Sequence, residues 1–282
     1  MIHPEFSKPT NSLIENGIIQ IPVLSGITIA SKELMDTWKL FCAQPLEHKL
    51  KYEFGSAGGY EYKNKSKDLS DEKENFHFSL MYLPENLLTD GTDIDKKLFS
   101  QARRLITLSF LPVMECASFY KEILGDSIEM IIAQSMENWI VRLLHYPAQE
   151  EQTDLDSIIA ASHVDKGFTL HFIEDAPGFE YLWNGGWHSA KPEDGNVLAY
   201  AGMNGQYYSQ CKFSALCHRV KTSRQTIAYG RNSIVLFADF GDVAYDKAQF
   251  GRLQKCFPAG ENYGMSFNEF KKFFTSIENK IL

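Results

Sequence analysis

The spacing of hydrophobic residues along the chain changes near Trp139. From there to Phe240, apolar and polar positions alternate in short stretches separated by Pro177-Gly178, Gly185-Gly186 and Asp194-Gly195. Side chains two positions apart lie on the same face of a β-strand. The alternation therefore predicts a series of short strands, as in a β-sandwich or barrel.

The part before this region, residues 12–137, is predicted to be mostly helical, with one short strand near residues 18–24. Ser31 is a candidate N-cap for a helix whose apolar residues recur at helical spacing. A second helix is predicted from Asp93 to Leu111, where Pro112 should break or kink it. The polar stretch 55–92 is expected to be a loop with short elements. Further helices are expected at about 126–137 and 266–281, the latter within a C-terminal segment 251–282.

Composition indicates the broad class of protein but does not identify its function. The chain has 282 residues, 44% hydrophobic and 23% charged, with a net charge of −8. These values are typical of a globular protein, and the negative charge disfavours nucleic-acid binding. Five scattered cysteines and no long apolar run favour a cytoplasmic protein without a disulfide framework, a signal peptide or a membrane segment. A monomer is the default expectation.

Candidate metal ligands lie within the region of alternating residues. His163 and Asp165 are two positions apart, so a strand would direct both side chains into one cavity. His218 follows much later in the chain. Two imidazoles and one carboxylate form the facial triad of non-haem Fe(II) oxygenases. Taken alone, His163 and Asp165 also fit a solvated polar strand end.

Arg231 and Ser233 share a second predicted strand face with Val235 and Phe237. A guanidinium directed inward is costly unless it meets an anion, and its planar shape matches a carboxylate. The pair therefore suggests an anion site, although a solvated Arg on an exposed strand face fits the same pattern.

Several ordered motifs resemble the isopenicillin N synthase-like branch of the 2-oxoglutarate-dependent dioxygenases. The stretch from His163 to Gly178 resembles that family's iron-binding strand and the following turn. The stretch from Gly202 to Val220 resembles the approach to its distal histidine, and Gly230-Arg231-Asn232-Ser233 matches its Arg-x-Ser motif. The resemblance extends over most of the chain.

This resemblance implies an α+β fold in one oxygenase domain, residues 1–282. It consists of a double-stranded β-helix (jelly-roll) core at 138–250, flanked by N-terminal helices and a C-terminal helix. Its implied site comprises Fe(II) ligands, residues binding the C5 carboxylate of 2-oxoglutarate, a tyrosine facing this cosubstrate and substrate-pocket residues. The implied Fe(II) ligands are His163, Asp165 and His218, and Arg231 and Ser233 would bind the C5 carboxylate. Tyr146 would face the cosubstrate, and the substrate pocket would include Arg142, Leu170 and Phe172.

The implied activity is oxidation of a C–H bond of a small metabolite by Fe(II), 2-oxoglutarate and O2, through hydroxylation, desaturation or cyclisation. Leu144 stands where many users of 2-oxoglutarate have Asn. This departure leaves open an oxidase that uses Fe(II) and O2 without 2-oxoglutarate. A metal-bound but catalytically silent binding protein is a third reading. His171 is expected to be a packed or hydrogen-bonded histidine, although unbroken alternation from His163 would direct it at the iron.

Overall fold

The computed structural model describes most of the chain up to Ala238. Of residues 119–124 it describes the backbone alone. The described residues are 13, 17–55, 58–63, 72–124, 133, 135–149, 153–165, 167–202 and 214–238. The predicted C-terminal helix, and most of the helix expected at 126–137, lie outside these ranges.

Helices and strands both occur along the described chain. The α-helices are α1 (Ser25–Cys42), α2 (Leu46–Lys49), α3 (Asn86–Asp90), α4 (Asp93–Leu108), α5 (Phe110–Leu124) and α6 (Arg224–Tyr229). Short 3-10 turns occur at Leu50–Tyr52 and Met136–Asn138. The strands are β1 (Ile18–Pro22), β2 (Gly59–Lys63), β3 (Lys73–Phe78), β4 (Ile140–Tyr146), β5 (Ile158–His163), β6 (Phe168–Glu174), β7 (Phe179–Trp183), β8 (Gly186–Ser189), β9 (Asn196–Tyr200), β10 (His218–Lys221) and β11 (Arg231–Ala238).

These strands form two antiparallel sheets. The seven-stranded major sheet has the order β1-β9-β6-β11-β4-β3-β2, and the four-stranded minor sheet has the order β5-β10-β7-β8. The polar stretch 55–92, expected to be a loop with short elements, supplies the short strands β2 and β3, which join the major sheet through β4. The N-terminal part therefore contributes strands as well as helices.

Helix α1 begins six residues before the predicted cap. Its N-cap is Leu24, which makes no side-chain cap, and Ser31 lies inside the helix with its hydroxyl donating to the Ile27 carbonyl at 2.8 Å. The predicted apolar face is present, since Leu34 and Trp38 are fully buried. The apolar period therefore located the helix correctly, whereas residue type alone misplaced its start.

Helix α4 begins at a capping box formed by Thr92 and Asp95, each side chain bonding the other's backbone N–H. It ends at Leu108, a few residues before the proline that was expected to break it. Pro112 lies in the first turn of α5, where a backbone N–H has no partner within the helix, so its missing donor costs little.

The major sheet is covered on both faces. One face packs against the helices in a large hydrophobic cluster that includes Trp38, Leu170 and Leu236. The other face meets the minor sheet through a smaller cluster that includes Tyr146 and Val220. A site formed between the sheets therefore receives side chains from both. In the described ranges, no helix has the length and apolar character needed to cross a membrane.

Candidate metal centre and its pocket

Strand pairing brings the three predicted metal ligands together. In the minor sheet, His218 of β10 lies directly opposite His163, the last residue of β5. The two imidazole centroids are 4.4 Å apart. Asp165 follows two residues after His163 and closes the group from the end of the strand. The register of one strand pair thus places the two imidazoles, and the chain that leaves β5 after His163 brings in Asp165.

The distances within this group suit a single ion. His163 Nε2 is 3.9 Å from Asp165 Oδ1, and His218 Nε2 is 3.8 Å from Asp165 Oδ2. All three ligand atoms lie within 4.8 Å of one another. Two atoms bound to one ion by bonds of about 2.1 Å are at most about 4.2 Å apart. The two imidazole–carboxylate separations run to different oxygens of the Asp165 carboxylate, so the three side chains close in slightly when they bind one ion.

The imidazoles are also held in the tautomer that a metal requires. Nδ1 of His163 lies 2.8 Å from the Ala161 carbonyl oxygen, and Nδ1 of His218 lies 3.0 Å from the Leu216 carbonyl oxygen. A carbonyl only accepts hydrogen bonds, so each Nδ1 carries the proton and each Nε2 presents a lone pair.

The carboxylate ligand is oriented by a buried hydroxyl. Thr169 Oγ1 donates to Asp165 Oδ2 at 2.8 Å. Burial alone would raise the pKa of Asp165, but His218, His163 and the Thr169 hydroxyl together lower it. Burial lowers the pKa of His218. An ionised carboxylate beside a neutral imidazole is the protonation state that binds a cation.

A pocket extends from this group between the two sheets. Its walls come from β4, β5, β6, β7, β9, β10 and β11, and Arg231 and Ser233 lie in the same hollow as the metal ligands. The lining residues are Arg142, Leu144, Tyr146, His163, Asp165, His171, Phe179, Tyr200, His218, Val220, Arg231, Ser233, Val235 and Phe237. The pocket therefore contains both the metal-ligating group and the predicted anion-binding pair.

Two residues predicted to line the pocket do not. Leu170 and Phe172 are buried in the cluster between the major sheet and the helices. The residue between them, His171, lines the pocket instead. This corrects the placement implied by the resemblance, and it agrees with the alternation counted from His163.

A β-bulge in β6 arranges the far side of the pocket. Val235 of β11 pairs with His171, whereas the preceding residue, Ile234, pairs with Ile173, so Phe172 is the extra residue. The bulge changes which residues share a face. Glu174 is thereby paired with Ser233, on the pocket face of β11. No local sequence pattern had marked Glu174 as a site residue.

Arg231 is fully buried, and its anionic partner belongs to the chain itself. Its Nη2 donates to Glu174 Oε2 at 2.5 Å, its Nη1 to Ser233 Oγ at 3.2 Å and its Nε to the Ala176 carbonyl at 3.1 Å. The inward guanidinium expected from the strand pattern is present. The carboxylate that meets it, Glu174, is the residue that sequence reasoning missed.

His171 is packed, as expected, and lies edge-on to Phe179 with ring centroids 5.5 Å apart. Its side chain is 2% exposed, but neither ring nitrogen makes a hydrogen bond of normal geometry with the described residues. Its Nε2 is 3.6 Å from Glu174 Oε2. Burial, with Arg231 nearby, lowers the pKa of His171 to about 3. A neutral imidazole with unused hydrogen-bonding capacity thus lines the pocket.

Arg142 is a second cation in the pocket, and it is partly buried. Its Nε donates to His77 Nε2 at 2.6 Å, and its guanidinium lies 4.7 Å from the ring centroid of Phe237. Burial, followed by Arg142 itself, lowers the pKa of His77 to about 3, so this histidine is a neutral acceptor. Among the described residues, no carboxylate forms an ion pair with Arg142.

Several solved structures have a fold similar to that of this chain. A full-length Neurospora crassa protein, solved in complex with alpha-KG, matches with a TM-score of 0.73 and 18% identity over 96% of this chain and 89% of that one. The rice dioxygenase for auxin oxidation matches with a TM-score of 0.67 and 17% identity over 95% and 88%. JOX2 in complex with 2OG, Fe and JA matches with a TM-score of 0.66 and 17% identity over 94% and 79%.

The chain has the fold of the 2OG-Fe(II) oxygenases. No protein-family model and no curated protein sequence matches it. At identities this low the structural likeness establishes the architecture, and the chemistry rests on the site residues. In this fold the chain places two imidazoles and a carboxylate together in a pocket that also contains a buried guanidinium.

Proposed function

We propose that this protein is an Fe(II)- and 2-oxoglutarate-dependent oxygenase that oxidises a C–H bond of a small metabolite. The observation that carries the proposal is the convergence of His163, Asp165 and His218 in one pocket with Arg231. Two histidines and one carboxylate with open positions are the donor set of non-haem Fe(II) oxygenases. The solved structures of similar fold support it, because two of them hold 2-oxoglutarate.

In this proposal each pocket residue has one task. The three ligands hold Fe(II) and leave its remaining positions free, while Arg231 and Ser233 bind the distal carboxylate of 2-oxoglutarate. Tyr146 pairs with Arg231 across β4 and β11, so its side chain flanks the same carboxylate site. When bound, iron, 2-oxoglutarate and O2 supply the oxidising power. The apolar side chains of the pocket exclude water from that chemistry.

Arg142 is the proposed contact for the substrate. It is a partly buried cation held by a neutral histidine and an aromatic ring, and the carboxylates that act on it, Asp165 and Glu61, form no direct ion pair with it in the described chain. A cation in this position favours an anionic ligand. We expect the substrate to carry a carboxylate or a similarly charged group. Arg142→Met should raise the KM for such a substrate and leave oxoacid binding unchanged.

The finer structural assignment is part of the same proposal. Two antiparallel sheets that enclose the site support a double-stranded β-helix core, residues 138–250, within a single oxygenase domain. Placement in the isopenicillin N synthase-like branch rests on the sequence motifs. Further crystals of the Neurospora crassa protein hold thymine or 5-formyluracil, which supports a small molecule as substrate.

The direct test measures succinate formation and O2 consumption with Fe(II), 2-oxoglutarate and a panel of anionic metabolites. We expect succinate to form only when both Fe(II) and 2-oxoglutarate are present, and His218→Ala to abolish it. His188→Ala is the matched control, because His188 is exposed and lies on β8, outside the pocket. Equal succinate formation by the wild type and His218→Ala would refute the assignment.

An oxidase that uses no oxoacid remains the second candidate, and two observations favour it. Leu144 gives the pocket an apolar side chain where many users of 2-oxoglutarate have an amide. Glu174 already occupies one nitrogen of Arg231. In that case Arg231 and Ser233 would hold the substrate's own carboxylate. Substrate-dependent O2 uptake that continues without any oxoacid would favour this candidate over the first.

A further inference from the structure

The charge of Arg231 is already balanced before any ligand arrives. Glu174 Oε2 lies 2.5 Å from Arg231 Nη2, and both side chains are at most 5% exposed. Under the proposed function, a second carboxylate binds the same guanidinium on its Ser233 side. Two ionised carboxylates would then share one buried positive charge, and like charges sharing a site raise the pKa of one of them.

His171 is placed to respond to such a change. Its Nε2 is 3.6 Å from the Glu174 oxygen that meets Arg231, and neither ring nitrogen makes a hydrogen bond of normal geometry in the described structure, since the Ile173 backbone offers the ring only a weak contact. A neutral imidazole has one donor and one acceptor nitrogen. It is therefore able to donate to an ionised Glu174 in one tautomer and to accept from a protonated Glu174 in the other. The bulge at Phe172 puts both side chains on the same face of the major sheet as Arg231 and Ser233, where His171 lines the pocket and Glu174 contacts Arg231.

We propose that Glu174 couples binding of the oxoacid to proton uptake: when the distal carboxylate binds Arg231 and Ser233, Glu174 takes one proton from solvent. This inference rests on the proposed function. The ligand arrives as a dianion, one solvent proton is bound, and no covalent bond other than the new O–H forms. The protonated Glu174 donates to His171 Nε2, so the ring proton of His171 resides on Nδ1.

The surroundings of Glu174 favour this exchange. The charged and titratable groups facing it are Arg231 on β11, His171 on its own strand, Lys191 from the β8–β9 connection and the adjacent Asp175. Asp175 is itself paired with Lys39 of α1 at 3.0 Å. Burial raises the pKa of Glu174 even with Arg231 beside it. Because the pKa of His171 is about 3, the proton resides on the carboxyl group rather than on the imidazole.

The proposal fixes the direction of the pH dependence. Glu174 is ionised in the free protein and protonated in the complex, so its pKa is higher in the complex. Between these two pKa values the affinity for 2-oxoglutarate falls as the pH rises, by about tenfold per pH unit for one proton. An oxoacid without a distal carboxylate should lack this dependence.

Isothermal titration calorimetry tests the proposal on the Mn(II)-loaded protein, which binds oxoacid without turnover. Titrations of 2-oxoglutarate at one pH, in buffers of different ionisation enthalpy, give the number of protons taken up. 2-Oxopentanoate has the same chain length without the distal carboxylate, so it cancels any proton released at the metal. We expect about one more proton for 2-oxoglutarate than for 2-oxopentanoate.

Two variants locate the proton. Glu174→Gln is neutral in both states and should bind 2-oxoglutarate with no extra proton and little pH dependence. Glu180→Gln is the matched control, since Glu180 is also a buried carboxylate paired with an arginine, Arg219 at 2.8 Å, but lies outside the pocket. It should keep the proton uptake of the wild type. If Glu174→Gln does not fold, the comparison of the two oxoacids in the wild type still decides.

The outcomes separate this inference from the proposed function. Equal proton numbers for the two oxoacids, or an unchanged number in Glu174→Gln, would overturn the coupling while leaving an oxoacid-binding metal site in place. If the Mn(II)-loaded wild type binds neither oxoacid, the proposed function fails and the coupling fails with it.

Discussion

Replacing Thr169 by valine tests whether the metal ligands are oriented by their surroundings. Thr169 is fully buried, and its hydroxyl donates at 2.8 Å to Asp165 Oδ2. Valine has nearly the same shape, so the change removes the hydrogen bonds of the hydroxyl, to Asp165 and with Tyr200, and leaves little cavity. A hydrogen bond to a charged group contributes about 1.5–3 kcal/mol. Loss of such a partner to a metal ligand typically lowers metal affinity about 10- to 100-fold, or about 1.4–2.8 kcal/mol.

We therefore expect Thr169→Val to raise the Kd for Mn(II) by about 10- to 100-fold, measured by competition with a fluorescent chelator. Thr37→Val is the control. Thr37 is equally buried and its hydroxyl donates to the Glu33 carbonyl at 3.1 Å, far from the pocket. That variant should lose some stability but keep its Mn(II) affinity. If both variants bind Mn(II) within about twofold of each other, the hydroxyl does not orient the ligand.

Three further predictions concern the scaffold. Asp95→Asn should lower the free energy of unfolding by about 2–4 kcal/mol near neutral pH. Hydrogen bonds outweigh burial and depress the pKa of Asp95, so in urea titrations the difference should persist above about pH 4 and shrink as the pH falls through the folded pKa. Gly230→Ala should cost more than Gly185→Ala, by about 1–3 kcal/mol in thermal unfolding, because both have positive φ but a Cβ at Gly230 would lie 2.6 Å from a carbonyl oxygen. Leu34→Ala, at a fully buried site, should cost about 2–5 kcal/mol, whereas Leu40→Ala, 54% exposed on the same helix, should cost below about 1 kcal/mol by urea titration.

The metal-ligating group could be predicted because its rules are local. Alternation predicted a common direction for His163 and Asp165, although β5 ends at His163 and Asp165 follows it outside the strand, and the chemistry of the donor set named His218 as the third member. The structure adds the pairing of His163 with His218, which depends on strand order in the minor sheet. For Arg231, alternation predicted a face shared with Ser233 and left a solvated side chain open, and the resemblance implied the inward orientation that the structure has.

Other features could not be read from local patterns. Glu174 meets Arg231 because of the bulge at Phe172, and the bulge is defined by pairing with β11 rather than by its own sequence. The resemblance assigned Leu170 and Phe172 to the pocket. Unbroken alternation counted from His163 would direct His171 towards the pocket and these two neighbours away from it. The stretch 55–92 was expected to be a loop with short elements, and its polar residues gave no sign that two of these elements, β2 and β3, pair with a sheet formed mainly by later parts of the chain.

The pairing of His163 with His218 also has a consequence for how the chain assembles. A slip of one position between β5 and β10 would turn one imidazole to the opposite surface of the minor sheet. The two histidines and Asp165 could then no longer bind one ion. An ion that binds only the complete group stabilises the correct alignment and none of the shifted ones. Metal binding would therefore favour the native strand register over the shifted registers during folding.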